Sequence, residues 1–157
     1  MKITPILLVI IISALPIGEL RAGIPLGQYL GMSAITAFLW AELANIAIVI
    51  ILLKTLKPVT TWLMKNFKFF HRFLTKIFES TRKKHSQKIQ QAEVVGLITF
   101  VAIPLPGTGA WTASLLAFLF DIPFWRALIS IFIGNIIAGL LVTAGIGSAI
   151  EIIKYFK

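Results

Sequence analysis

The sequence predicts an all-α integral membrane protein made of two inverted repeats, each a re-entrant helix pair broken by proline and glycine plus one transmembrane helix, joined by a basic amphipathic helix. Three observations carry this. Apolar residues make up 58% of the 157 residues and charged ones 13%, and mean hydropathy is +0.93, far from the soluble-domain average. Membrane-grade sequence is interrupted twice by proline and glycine, in PIGELRAGIPLG at 16–27 and FVAIPLPGTGAW at 100–111. One order of segments occurs twice: short apolar run, break, short run, long run with a central asparagine.

A chain of 157 residues accommodates one bundle of roughly four membrane segments at about 20 residues each. It is read as a single membrane domain, with a first repeat at 1–56, a linker at 57–91 and a second repeat at 92–157. Enlarging its core would take a second copy, so a homodimer is an expected partner. Cysteine is absent, which excludes disulfides and thiol chemistry. His71 and His85 stand in a basic stretch without neighbouring ligands, so neither a metal nor another cofactor is expected. No nucleophile and base occur at workable spacing, and the chain is not read as an enzyme. The formal charge of +9 does not point to nucleic acid, because ten of the fifteen Lys and Arg residues fall between Lys54 and Lys88, beside apolar spans. That placement is the positive-inside signature and puts the linker in the cytoplasm and the protein in the plasma (inner) membrane. Met1-Lys2 and the run to Leu15 resemble a signal peptide, but removing the run would destroy the repeat.

The run 3–15 is helical and too short to cross alone. The break at 16–27 places Glu19 and Arg21 among prolines and glycines. Either charge at a bare bilayer centre would cost about 3 kcal/mol, so the pair requires an aqueous pocket or partners; a loop at the membrane surface is the plainer alternative. The span 34–53 carries Glu42 and Asn45 on one helix face. Asn45 reads as a helix-to-helix hydrogen bond, whereas Glu42 fits function as well as structure. Over 61–78, Lys65, Lys68, Arg72 and Lys76 recur at helical spacing opposite Trp62, Phe70, Phe73, Leu74 and Ile77, the pattern of a helix lying on anionic lipid. A polar turn follows at 80–88.

The second half begins with the run 94–105. In the break, Pro104 and Pro106 remove donors while Gly107 and Gly109 supply conformations other residues reach only at a cost. A short run at 110–120 follows. Asp121 is expected to cap the next helix with Pro123 in its first turn. The span 127–144 carries Asn135, with Arg126 anchoring at the interface beside Trp125. Gly145 and Gly147 are expected to loosen the chain before a basic-ended surface helix at 148–157. Between halves, Pro16 matches Pro104 at an offset of 88, and Asn45 matches Asn135 at 90. Re-entrant halves would be inverted, with both termini outside; four full crossings would put them inside.

The segments GELRAGIPLG and FVAIPLPGTGAWTASLLAFL, with the linker's RKK and the later FWRAL and AGLLVT, closely resemble the small multidrug export protein family. More distantly the chain is similar to the DedA family, which pairs two re-entrant loops in an inverted repeat and is implicated in moving lipid carriers. The resemblance implies that Glu19, Arg21, Pro25, Pro104, Pro106, Gly107, Thr108, Gly109 and Trp111 line a shared site. DedA proteins carry an arginine in their second motif where Thr108 and Gly109 stand here, so an anion would rely on Arg21 and on backbone amides.

Gly107 to Gly109 opens a helical segment whose free amides and positive end suit an anion, with the Thr108 hydroxyl as a further donor and Arg21 supplying a full charge from the opposite tip. Glu42, Asn45 and Asn135 join as candidate substrate or ion ligands. Glu19 and Glu42 are the titratable groups, and burying a carboxyl brings its titration into the range where proton coupling works. The reading is a small secondary transporter, proton-coupled, for an amphipathic or lipid-phosphate-like solute. The alternative is a membrane-shaping or scaffold protein in which the breaks only pack helices.

Overall fold

The computed structural model describes residues 3–67, 75, 87–105 and 107–155. Among them run six helices: α1 Ile3–Ala14, α2 Glu19–Tyr29, α3 Ala34–Asn66, α4 Gln87–Ala102, α5 Ala110–Leu119 and α6 Phe124–Tyr155. There is no strand among the described residues. Each half therefore runs helix, break, helix, long helix. Ala34–Asn66 and Phe124–Ile146 are long and apolar enough to cross a membrane. The 12 residues of α1 and the 10 of α5 reach only about 15–18 Å at 1.5 Å per residue, short of the roughly 30 Å hydrocarbon core.

The two halves stop their second short helix with the same device. At the end of α2, Gly31 takes φ +83°, the Met32 amide bonds Gly27 O at 2.9 Å and the Gly31 amide bonds Gln28 O at 3.0 Å. This is a Schellman stop. Ninety residues on, Asp121 takes φ +53°, the Ile122 amide bonds Ala117 O at 2.8 Å and the Asp121 amide bonds Phe118 O at 3.2 Å. Asp121 thus closes α5 instead of capping α6, correcting the sequence reading; aspartate is among the few residues that visit this conformation readily. Ser33 caps α3, accepting from the Thr36 amide at 3.2 Å.

Several boundaries differ from expectation. The first break is confined to 15–18, and α2 begins at Glu19 with Pro25 inside it. Helix α3 does not stop at 53 but passes Pro58 to Asn66. The carbonyl that Pro58 frees is that of Lys54, on an exposed stretch of helix, where it is not shut away from partners outside the chain. The amphipathic segment expected from Thr61 therefore starts as the last turns of a spanning helix. Lys65 lies there, exposed, while Lys68, Arg72 and Lys76 lie outside the described residues. Helix α4 starts at Gln87, inside the expected polar turn. Helix α6 passes Gly145 and Gly147 unbroken, since one glycine costs only about 1 kcal/mol in a long helix. Of the expected surface helix at 148–157, residues 148–155 are the end of α6, and Phe156 and Lys157 lie outside the described residues.

Helices α3 and α6 form the centre and run antiparallel: Phe38 lies against Gly139, while Val49, further along α3, shares a cluster with Ile131, earlier on α6. The interior is small-residue rich, with Ala37, Ala41, Ala110, Ala113, Ala117, Ala127 and Ala138 fully buried. Large apolar side chains point outward instead, among them Ile17, Ile35, Leu43, Val95, Trp125 and Leu140, all more than half exposed. Lipid tails are as apolar as leucine, so helices in a bilayer associate through close backbone packing. An apolar exterior over a core of alanine suits lipid as its solvent, and the chain is a helical membrane protein.

Candidate functional site

Each break exposes backbone carbonyls at one helix end and amides at the next, and each such group costs several kcal/mol in a bilayer unless partnered. The first break is served from two sides. With its amide oriented to satisfy both ends, Asn45 on α3 donates to Ser13 O at 3.3 Å and accepts from the Leu20 amide at 2.8 Å. Trp111, from the second half, donates Nε1–H to Ala14 O at 3.1 Å. Asn45 is therefore a bracket across the break. Replacing it by alanine strands Ser13 O and the Leu20 amide. Asn45→Ala is expected to cost about 2 kcal/mol, read as a lower thermal midpoint in detergent; an unchanged midpoint would remove the bracket.

The second break, between Ala102 and Ala110, is served by Glu19 and Arg21 of the first half and, within itself, by Thr108. Glu19 opens α2 at φ +49°, a left-handed conformation that costs about 1–2 kcal/mol for a residue with a Cβ. Its carboxylate crosses to the start of α5, where Oε2 accepts from the Ala110 amide at 3.1 Å and Oε1 from the Trp111 amide at 3.1 Å. Arg21 Nη1 donates to the same Oε2 at 2.8 Å. Arg21 Nη2 faces the carbonyls of Val101 at 2.9 Å, Ile103 at 3.2 Å and Thr108 at 3.2 Å, and Thr108 Oγ1 at 3.3 Å. The carboxylate thus sits at the positive end of α5 and the guanidinium at the negative end of α4, each favoured by the helix dipole beside it. Side-chain exposure is 14% for Arg21 and 6% for Glu19, so the pair is largely withdrawn from solvent.

Gly109 makes this seat possible: a Cβ there would land on the Glu19 carboxylate. Gly107 turns the chain at φ +84°, with open space around it. The Thr108 hydroxyl has one proton for two near carbonyls, Ile103 O at 2.7 Å and Leu105 O at 2.9 Å.

The structure therefore brings Glu19, Arg21, Thr108, Gly109 and Trp111 together. Pro104 is exposed in the break, Pro106 lies outside the described residues, and Pro25 sits inside α2, one turn past Arg21. Glu42 is buried on α3 with neither carboxyl oxygen partnered, and Asn135 is fully buried on α6 with neither amide atom partnered. One expectation is corrected here. The segment opened by Gly107 to Gly109, read as an anion seat, has the Ala110 and Trp111 amides at its helix start already bound to Glu19, and Arg21, read as supplying a full charge to an anion from the opposite tip, is engaged by that carboxylate and by carbonyls of α4 and the break. Sequence reasoning missed the contributions of Ser13, Ala14, Leu20, Val101 and Ile103, all made through backbone atoms that carry no residue signature.

The family model described as "Putative small multi-drug export protein" matches residues 19–141, from Glu19 to the middle of α6. No curated protein and no solved structure matches the chain.

Proposed function

Because the chain belongs to the small multi-drug export protein family, we propose that it exports an amphipathic, lipid-phosphate-like solute through the space between its two broken helix pairs, with the polar head of the solute engaging Glu19 and Arg21. The buried Glu19–Arg21 ion pair at 2.8 Å carries this reading. An ionisable pair inside a membrane bundle marks a solute path by default, and broken segments in corresponding halves point to a site between repeats. When the pair opens, Arg21 offers a planar fork of donors to an anionic head.

On this reading each half is a re-entrant pair plus one span, related by inversion as in the DedA family. The antiparallel α3 and α6 and the matched stops at Gly31 and Asp121 support it. The basic linker then faces the cytoplasm, with Lys65, Lys68, Arg72 and Lys76 against anionic lipids of the inner membrane and the termini outside. A second copy extends the core, and no bond-making chemistry is assigned. Glu42, buried and unpartnered, is the group through which a proton gradient drives transport.

One observation favours the scaffold reading: the Glu19–Arg21 pair partners the backbone of the second break, which gives it a purely structural use. Flux separates the two. The whole chain in liposomes is expected to move a fluorescent short-chain phosphatidic acid or ethidium faster than empty vesicles do, with Glu19→Gln slowing it roughly tenfold and Glu42→Gln losing the response to an imposed pH gradient. Full flux in a folded Glu19→Gln variant would take the pair out of the path. No flux of either probe would favour the scaffold.

A further inference from the structure

The first break shows how an asparagine on a long helix closes an interrupted pair, by joining Ser13 O to the Leu20 amide. The corresponding groups of the second half are Val101 O, at the offset of 88 that relates Pro16 to Pro104, and the Ala110 amide, at the offset of 90 that relates the stops of α2 and α5 at Gly31 and Asp121. Both are occupied, but by the other half: Arg21 Nη2 holds Val101 O at 2.9 Å and Glu19 Oε2 holds the Ala110 amide at 3.1 Å. The asparagine that matches Asn45 is Asn135, fully buried with neither amide atom partnered. It also lies on the matching face of α6: Ile131, one turn earlier on that face, shares a buried cluster with Val101 and Ala110, and Gly134 beside it lets α6 approach α4 so closely that a Cβ there would lie 2.6 Å from Val101 Cβ.

We infer that Asn135 is a standby cap: when Glu19 and Arg21 leave the second break, Asn135 donates to Val101 O and accepts from the Ala110 amide, as Asn45 does at the first. The inference rests on the exporter reading for its consequence, because the exchange frees the Arg21 guanidinium to take the anionic head of the solute. Of the groups the pair holds, Val101 O and the Ala110 amide are the buried ones, and without a substitute each departure would leave them bare at membrane depth and hold the pair in place. A side chain carrying one donor and one acceptor is what the two groups need. An asparagine with both ends idle is unfavourable in the present state, and that raised starting point makes the exchange easier.

A double-mutant cycle tests this on the reconstituted whole chain. Asn135→Leu alone removes two idle polar atoms, so the thermal midpoint is expected to hold or rise while phosphatidic acid flux falls roughly tenfold. In an Arg21→Ala background, where Asn135 becomes the principal partner of Val101 O, the same change is expected to lower the midpoint by several degrees. Should Arg21→Ala fail to accumulate, Arg21→Lys, which keeps a charge without the fork, serves as the background. Equal shifts in the two backgrounds would overturn the standby role, and so would a lower midpoint for Asn135→Leu alone. If the unmodified chain moves neither probe, the exporter reading fails, while the thermal cycle still decides whether Asn135 can cap the break.

Discussion

Gly109→Ala is expected to expel the Glu19 carboxylate from the start of α5. The new methyl group would occupy the space of the carboxylate itself, and neither the backbone of α5 nor the left-handed start of α2 can retreat without undoing its own bonds. Expelling the carboxylate unpairs Arg21 and bares the amides of Ala110 and Trp111, a loss of about 3–5 kcal/mol, typical of breaking a buried pair. Gly107→Ala is the matched control. Gly107 has φ +84° but nothing within 4 Å of the added atom, so only the backbone term of about 1–2 kcal/mol applies. Thermal unfolding of the two variants in one detergent, followed by size exclusion, compares them directly. Equal losses would mean that the carboxylate is not seated against Gly109.

Arg21→Ala is expected to be nearly as damaging by a different route. It leaves the Glu19 carboxylate without its cation and removes the charged donor from the carbonyls of Val101, Ile103 and Thr108, again about 3–5 kcal/mol. Glu19→Gln should be milder, since the amide oxygen can still accept from one of the two α5 amides. Arg21→Lys should restore only part of the loss, because a single ammonium cannot reproduce the fork that reaches the carboxylate and the carbonyls together. The order expected in thermal midpoints is Arg21→Ala lowest, then Arg21→Lys, then Glu19→Gln. A reversed order would show that the carboxylate, rather than the guanidinium, holds the break together.

Much of the layout was legible because proline, glycine and charge are rare in membrane-grade sequence and so stand out. Pro16, Pro104 and Gly107 marked both interruptions, and Glu19 and Arg21 were conspicuous for lying beside one. The partners of those charges were not legible. The carbonyls of Val101 and Ile103 and the amides of Ala110 and Trp111 belong to every residue alike, so nothing in the letters says that they await a charge 80 to 90 positions earlier. The same blindness produced the open anion seat, since a helix start after glycine reads as vacant until the fold shows what fills it. Helix ends were misplaced where the usual breakers were overruled. Pro58 was absorbed on an exposed stretch, and Gly145 and Gly147 were too weak to stop a helix already long.

The traffic of caps between the halves runs mostly one way. The first half brackets its own gap with Asn45 and lends Glu19 and Arg21 to the gap of the second, while the second returns the Trp111 indole. Severed between the halves, the second would keep its gap and lose what fills it, so the lender and the borrower hold together as one cooperative unit.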